Sequence, residues 1–335
     1  MTIQEFDCLP DGLLQCEAHE LLELLGAPSL IHLGEAREPA LFVSVLLHGN
    51  EVSGWNGLRK LLGELPETER GLSILIGNVA AAAKGMRALP GQQDYNRIWR
   101  NGSGEEGHMA RDVVKSLARR SLIAAVDLHN NTGHNPHYSV VTDLSPENLG
   151  FAYLFSDKAV YIEEPDTVLA HALTSQCPAV TLELGPVSDR ECDERAYDYL
   201  KRCLELDETP AASVNDFSLF RTQVRIHIRD NVDFSFADED RATSVVLTAG
   251  VEGVNFHELP AGSLFGRTKL PLLEIFQVLD VNHQDVTEEY FYLDGTDIVI
   301  RQAVTPAMYT TDTFVIRQDC LCYFMQRIAN AGPTG

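Results

Sequence analysis

Residues 41–51 read LFVSVLLHGNE, and residues 121–131 read SLIAAVDLHNN. Each stretch begins with a short run that is apolar at odd and even positions alike. A strand with one wet face alternates; a strand apolar on both faces is covered on both sides, as in a parallel sheet. Each run then ends abruptly in polar residues. In open parallel sheets ligands bind beyond the carboxyl ends of strands, so HGNE and DLHNN are the first places to look for chemistry.

Working outward, the same texture repeats. SLIHLG (29–34), LSILIGNV (72–79) and AVTLELGP (179–186) read as further strands, and EVSGWNGLRKLLGEL (51–65) and HMARDVVKSLARRS (108–121) as amphipathic helices between them. Strands separated by helices predict an α/β domain with a mixed, mostly parallel sheet flanked by helices. After residue 210 the pattern changes. TQVRIHIRD, SVVLTAGV, LLEIFQVLDV, FYLDGTDIVIR and TFVIRQDCLCYF alternate more strictly, with Gly, Asn and Asp between them. They predict a smaller, β-rich and largely antiparallel C-terminal domain. The polar stretch LELDETPAASVND (204–216) reads as the junction, giving domains of 1–210 and 211–335.

The chain has 335 residues with 26 Lys and Arg against 49 Asp and Glu, a formal net charge of −23. That balance excludes a nucleic-acid binder, whose affinity rests on cations neutralising phosphates, and a protein drawn to anionic membranes. No apolar run approaches the length needed to span a bilayer, and the first twenty residues carry no basic and apolar leader pattern. Seven scattered cysteines form no disulfide framework, so a cytoplasmic location with reduced thiols is expected. A homo-oligomer is compatible with the sequence, which carries no mark of oligomeric state.

His48 and Glu51 follow the first strand three residues apart, and His129 ends the second strand in the same topological place. Imidazole and carboxylate are standard zinc ligands, and three protein ligands with a fourth position for water is the catalytic arrangement. One Zn2+ per chain is therefore expected. Any single one of the 11 histidines is more often a packing or surface residue than a ligand. The strand-end position of both pieces is what raises this set above a chance match. A competing set, His129 with His134 and His137, lacks a carboxylate and leaves HGNE unexplained.

The order HGNE, then GNV at a strand end, then Arg87-(x)6-Asp94-x-Asn96-Arg97, then DLH, then Glu183 in E-x-G resembles the succinylglutamate desuccinylase/aspartoacylase family. These are relatives of the zinc carboxypeptidases, the M14-type hydrolases. The resemblance covers roughly residues 30–190 and implies a zinc-carboxypeptidase-like fold. By resemblance, His48, Glu51 and His129 are the zinc ligands, and Asp94 orients the first histidine. Arg87 polarises the scissile carbonyl, Asn96 and Arg97 hold the substrate's carboxylate, and Glu183 is the general base. The implied reaction is hydrolysis of the amide bond of a small, carboxylate-bearing N-acyl amino acid. Two stretches, VSGW after HGNE and NNTGHNPH after the second histidine, depart from the family's pattern, so the acyl group and amino acid are not assigned.

Two other classes stay open at this point. A zinc carboxypeptidase acting on peptides would use the same metal and arginines, and a binding module would keep the metal without turnover. A G-x-G-x-x-G at Gly102, Gly104 and Gly107 imitates a dinucleotide fingerprint, but the preceding DYNRIWRN is no buried strand. NGSGEEG reads instead as a flexible loop near the site. From Lys84 to Arg100 four cations stand against one acid, so the substrate is expected to meet a local basic island inside a negative field.

Overall fold

The runs ALFVSV and LIAAVDLH are strands of which nearly every residue is buried, and they lie side by side at the centre of a sheet. The computed structural model describes residues 3–34, 38–64, 70–236 and 243–328. The chain divides into two compact units. Among the described residues, the first runs to Asn131 and resumes over His137–Leu219; the second comprises Thr132–Pro136 and residues 220–328.

In the first unit the strands are β1 (Gln4–Phe6), β2 (Ser29–Leu33), β3 (Ala40–Val45), β4 (Leu72–Ile76), β5 (Leu122–His129), β6 (Tyr138–Val141), β7 (Lys158–Tyr161) and β8 (Ala179–Glu183). They pair in the order β1-β2-β4-β3-β5-β8-β6-β7. The four central strands, β4, β3, β5 and β8, are mutually parallel, while β2 and β6 run against their neighbours β4 and β8. The helices are α1 (Leu21–Leu25), α2 (Ser53–Glu64), α3 (Val79–Ala82), α4 (Gly104–Leu117), α5 (Pro146–Tyr153), α6 (Leu169–Leu173) and α7 (Glu191–Glu205). Helix α2 buries Trp55, Leu58, Leu61 and Leu62, the apolar stripe of an amphipathic helix. It packs closely on α7: a Cβ on Gly57 would come within 2.6 Å of the Asp193 carbonyl oxygen and of Ala196 Cβ.

The second unit is β-rich. One sheet pairs β9 (Ser218–Ile228) with β13 (Phe276–Asp280) on one side and β17 (Cys322–Arg327) on the other, with β16 (Thr305–Ala307) beyond β17. A separate five-stranded sheet runs β10 (Phe234–Ser235), β11 (Val245–Leu247), β12 (Leu264–Thr268), β15 (Asp297–Ile300) and β14 (Phe291–Asp294). Phe265, Phe276, Phe291 and Phe324 cluster with ring centroids 4.9–6.0 Å apart, the separation at which aromatic rings attract.

The α/β class and the β-rich C-terminal sheet agree with the sequence reading. Three local readings do not. LLEI, read at the start of a strand, is a helical turn over Leu272–Ile275. TFVIRQ, read within a strand, is helical over Thr313–Gln318, where Asp312 accepts hydrogen bonds from the Phe314 and Val315 N–H groups and so caps the first turn. NGSGEEG, read as a loop, already contains the start of α4 at Gly104. A Cβ on Gly107 would stand 2.0 Å from the Gly102 carbonyl oxygen, so that glycine permits close backbone approach. Before them lies a single turn, Tyr95–Arg97, rather than a strand.

Candidate functional site

β3 delivers the chain to the site through Leu46, a buried leucine in the left-handed region at φ 58°. A non-glycine residue held there costs about 1–3 kcal/mol and persists only where its surroundings fix it. Here the Leu46 carbonyl accepts the Asn78 N–H at 2.6 Å. His48 follows, then Gly49, whose Cβ, if it had one, would lie 2.2 Å from the Ala82 nitrogen. This position in HGNE therefore excludes every side chain. The turn closes with the Glu51 N–H donating to the His48 carbonyl at 3.1 Å, bringing both side chains to one point.

His129, the last residue of β5, arrives from the neighbouring strand. His48 Nδ1 is 2.8 Å from Glu51 Oε1, and His129 Nδ1 is 2.7 Å from Glu51 Oε2. The imidazole centroids are 4.9 Å apart. All three residues are buried, and one ligand atom from each lies within 4.8 Å of the others. Among the described residues this is the only such group of three. His134, from the competing set, is mostly exposed beside Glu252, and His137 packs on Phe155.

The far nitrogens decide what the cluster suits. His48 Nε2 is 2.9 Å from Asp94 Oδ1, and His129 Nε2 is 2.8 Å from Asp127 Oδ2. Each imidazole thus has one nitrogen tied to a carboxylate and presents the other inward. A metal-ligating histidine is oriented in this way, its outer N–H donated to a carboxylate that fixes the tautomer. Donors on a tetrahedral zinc stand roughly 3.3 Å apart, which these positions reach with small side-chain adjustments. The residues fit a divalent cation of the zinc type.

The charges agree. Burial alone would raise the Glu51 carboxyl, but His48 and His129 outweigh it and hold it well below the usual range. For Asp94, burial is again overruled, by His48 and then Arg87. Burial disfavours a proton on His129, yet Asp127 and Glu51 raise its affinity well above the ordinary value. The carboxylates around His129 favour positive charge there, and a cation competes with the proton for that imidazole.

Around it stand the other expected residues. Arg87 donates to Asp94 Oδ2 at 3.0 Å and reaches Glu51 Oε1 at 3.4 Å. The Asn96 N–H donates to Asp94 Oδ1, and its carboxamide oxygen accepts the Leu169 N–H. Asn96 Nδ2 lies 3.3 Å from His129 Nε2, which is a contact rather than a hydrogen bond when that nitrogen gives its proton to Asp127. Arg97 donates one N–H to the Asn96 carbonyl. Glu183, the last residue of β8, pairs in register with His129. It is buried, and its Oε2 has no hydrogen-bond partner. Burial pushes its carboxyl up to about 7, against the lowering pull of His129.

Two residues here were not singled out from the sequence. Asp127 holds His129; the signal was available, because residues two apart on a strand share a face. Asn130 ties three elements together. Its N–H approaches Glu51 Oε2 at 3.3 Å, its Oδ1 accepts the Ser53 N–H opening α2, and its Nδ2 donates to the Gly185 carbonyl. Nothing in a single sequence marks that junction.

The succinylglutamate desuccinylase/aspartoacylase catalytic domain matches residues 37–205. A search of curated proteins finds no match. Among solved structures, a succinylglutamate desuccinylase from Vibrio parahaemolyticus is similar at 14% identity, covering 90% of this chain and 86% of its own, with a TM-score of 0.57. Murine aminoacylase 3 is similar at 16% identity over 87% of this chain and 97% of its own, with a TM-score of 0.56. A succinylglutamate desuccinylase from Chromobacterium violaceum aligns at 17% identity, covering 80% and 86%, with a TM-score of 0.52. At such identities the likeness to these structures concerns the fold.

Proposed function

The chain belongs to the succinylglutamate desuccinylase/aspartoacylase family, and from that premise we propose that it is a zinc-dependent amidohydrolase that cleaves a small N-acyl amino acid. The observation that carries this reading is the pair of imidazoles turned toward Glu51, each backed by its own carboxylate, with a buried Glu183 on the adjoining strand whose Oε2 has no hydrogen-bond partner.

His48, Glu51 and His129 would hold the ion, which when bound supplies Lewis acidity toward water and a carbonyl oxygen. The remaining steps fall to the protein. Glu183 accepts the proton of the attacking water and hands it to the leaving nitrogen, acting first as base and then as acid. Burial raises the proton affinity of this carboxyl, which suits it to both halves of that exchange. Arg87 stabilises negative charge developing on the carbonyl oxygen; loss of one such donor typically costs about 100- to 1000-fold in rate. Asn96 and Arg97 hold the substrate's carboxylate, where a guanidinium offers two parallel donors. Asp94 keeps His48 in the tautomer that leaves Nδ1 free for the ion.

The test is a panel of N-acetyl, N-formyl and N-succinyl amino acids beside C-terminal dipeptides, assayed with zinc-loaded and chelator-treated protein. Metal-dependent release of free amino acid from the N-acyl compounds is expected. Cleavage confined to the dipeptides would make the chain a carboxypeptidase, and bound zinc without turnover on any compound would make it a binding protein.

A further inference from the structure

Asn131 is 3% exposed, and neither its Oδ1 nor its Nδ2 has a hydrogen-bond partner. A buried carboxamide with neither end paired is rare, because such groups lose their water and normally regain a partner within the fold. Its place is informative. It stands two residues beyond His129, and its own N–H donates to the Gly185 carbonyl at 3.1 Å, two residues beyond Glu183. His129 and Glu183 are themselves partners in register. Asn131 therefore continues the row formed by the ends of β5 and β8, beyond the carboxyl ends of the strands, where ligands of such sheets bind. The neighbouring Asn130 shows the contrast, with both polar atoms of its side chain and its N–H engaged in holding the loop.

We infer that Asn131 is a specificity-determining residue that recognises a primary carboxamide of the substrate; this rests on the deacylase reading above. A carboxamide side chain presents one acceptor and a donor side by side. A second primary carboxamide meets it with two parallel hydrogen bonds, satisfying both Oδ1 and Nδ2. A carboxylate satisfies only Nδ2 and sets two electron-rich oxygens against each other. The scissile bond cannot be the partner, because in a trans secondary amide the carbonyl and the N–H point in opposite directions. The carboxamide belongs either to the amino acid's side chain, as in glutamine, or to the end of the acyl chain, as in a succinamoyl group.

Binding to the zinc-loaded protein by calorimetry tests this without requiring turnover. The ligand pairs are N-acetylglutamine against N-acetylglutamate, and N-succinamoylglycine against N-succinylglycine. One carboxamide ligand is expected to bind about 10- to 100-fold tighter than its carboxylate counterpart, and the pair that shows it identifies the end recognised. Asn131→Leu is expected to abolish that preference while the thermal midpoint and zinc content stay near those of the parent. Asn131→Asp, close in shape, keeps one acceptor and loses the donor, and is expected to weaken carboxamide binding as well. Equal binding within both pairs, binding of none of the four ligands, or a preference that survives Asn131→Leu overturns the assignment. Carboxamide-selective binding without hydrolysis would leave Asn131 in place and remove the deacylase reading instead.

Discussion

Asp127 Oδ2 lies 2.8 Å from His129 Nε2, on the same strand and two residues away. The pleat of β5 thus supplies both the imidazole that faces Glu51 and the carboxylate that orients it, from one three-residue stretch. Exchanging this carboxylate for a carboxamide keeps the shape but removes the charge. Asp127→Asn is expected to weaken zinc binding about 10- to 100-fold, measured by competition with a chromophoric chelator. Unchanged affinity would show that His129 needs no orienting partner.

In the proposed site His48 would supply the first ligand atom, and among the described residues it groups only with Glu51 and His129. His48→Ala is expected to leave the protein folded and without stoichiometric zinc after gel filtration, as read by elemental analysis. Full occupancy in that variant would remove His48 from the ligand set.

In the proposed mechanism Glu183 moves the proton and does not hold the ion. Glu183→Gln is therefore expected to retain zinc at the parent's stoichiometry and lose at least about 100-fold in kcat, the scale of general acid–base contributions. Hydrolysis at the parent rate would assign the base elsewhere.

The same carboxyl makes a prediction about stability. Its titration in the folded, metal-free protein is raised to about 7 from an ordinary 4.5. The folded state then holds this proton more tightly than the unfolded state. Its contribution to stability is intact below the unfolded value and is lost as pH rises through the folded one. In chelator-treated protein, Glu183→Gln should gain on the parent by about 2–3 kcal/mol on going from roughly pH 5 to roughly pH 8. Urea unfolding at the two pH values measures it, and a gain that is independent of pH would contradict the raised carboxyl.

Gly49 meets backbone atoms of Ala81 and Ala82 at 2.4 and 2.2 Å from where its Cβ would be. Gly49→Ala must displace the turn between His48 and Glu51. A loss of about 1–3 kcal/mol is expected, the usual cost of overpacking, together with weakened zinc binding. A thermal midpoint and zinc affinity equal to the parent's would show that the turn has room to spare.

Much of the fold was legible because burial leaves its period in the sequence. LFVSVL and LIAAVDL are apolar on both parities, which identifies strands covered on two faces without any structure. TFVIRQ was misread for the complementary reason. It is only six residues long, and over that length helix and strand patterns are hard to separate; what decides is the Asp312 cap. The glycines at 102, 104 and 107 were equally ambiguous, since a loop and a tight helix start both favour glycine. The carboxamide of Asn131 carried no signal, because an unpartnered side chain is visible only when its surroundings are known.

By itself the sequence determined which strands are covered on both faces and that histidine and acid stand at their carboxyl ends. Those properties are local: periodicity and motif spacing are both read along the chain. Tertiary structure alone decided that both Nδ1 atoms converge on the one carboxylate of Glu51, and that Glu183 Oε2 and the Asn131 carboxamide are buried without hydrogen-bond partners. Each of these depends on groups brought together from segments distant in the chain, and burial and hydrogen-bond satisfaction exist only once those segments have packed.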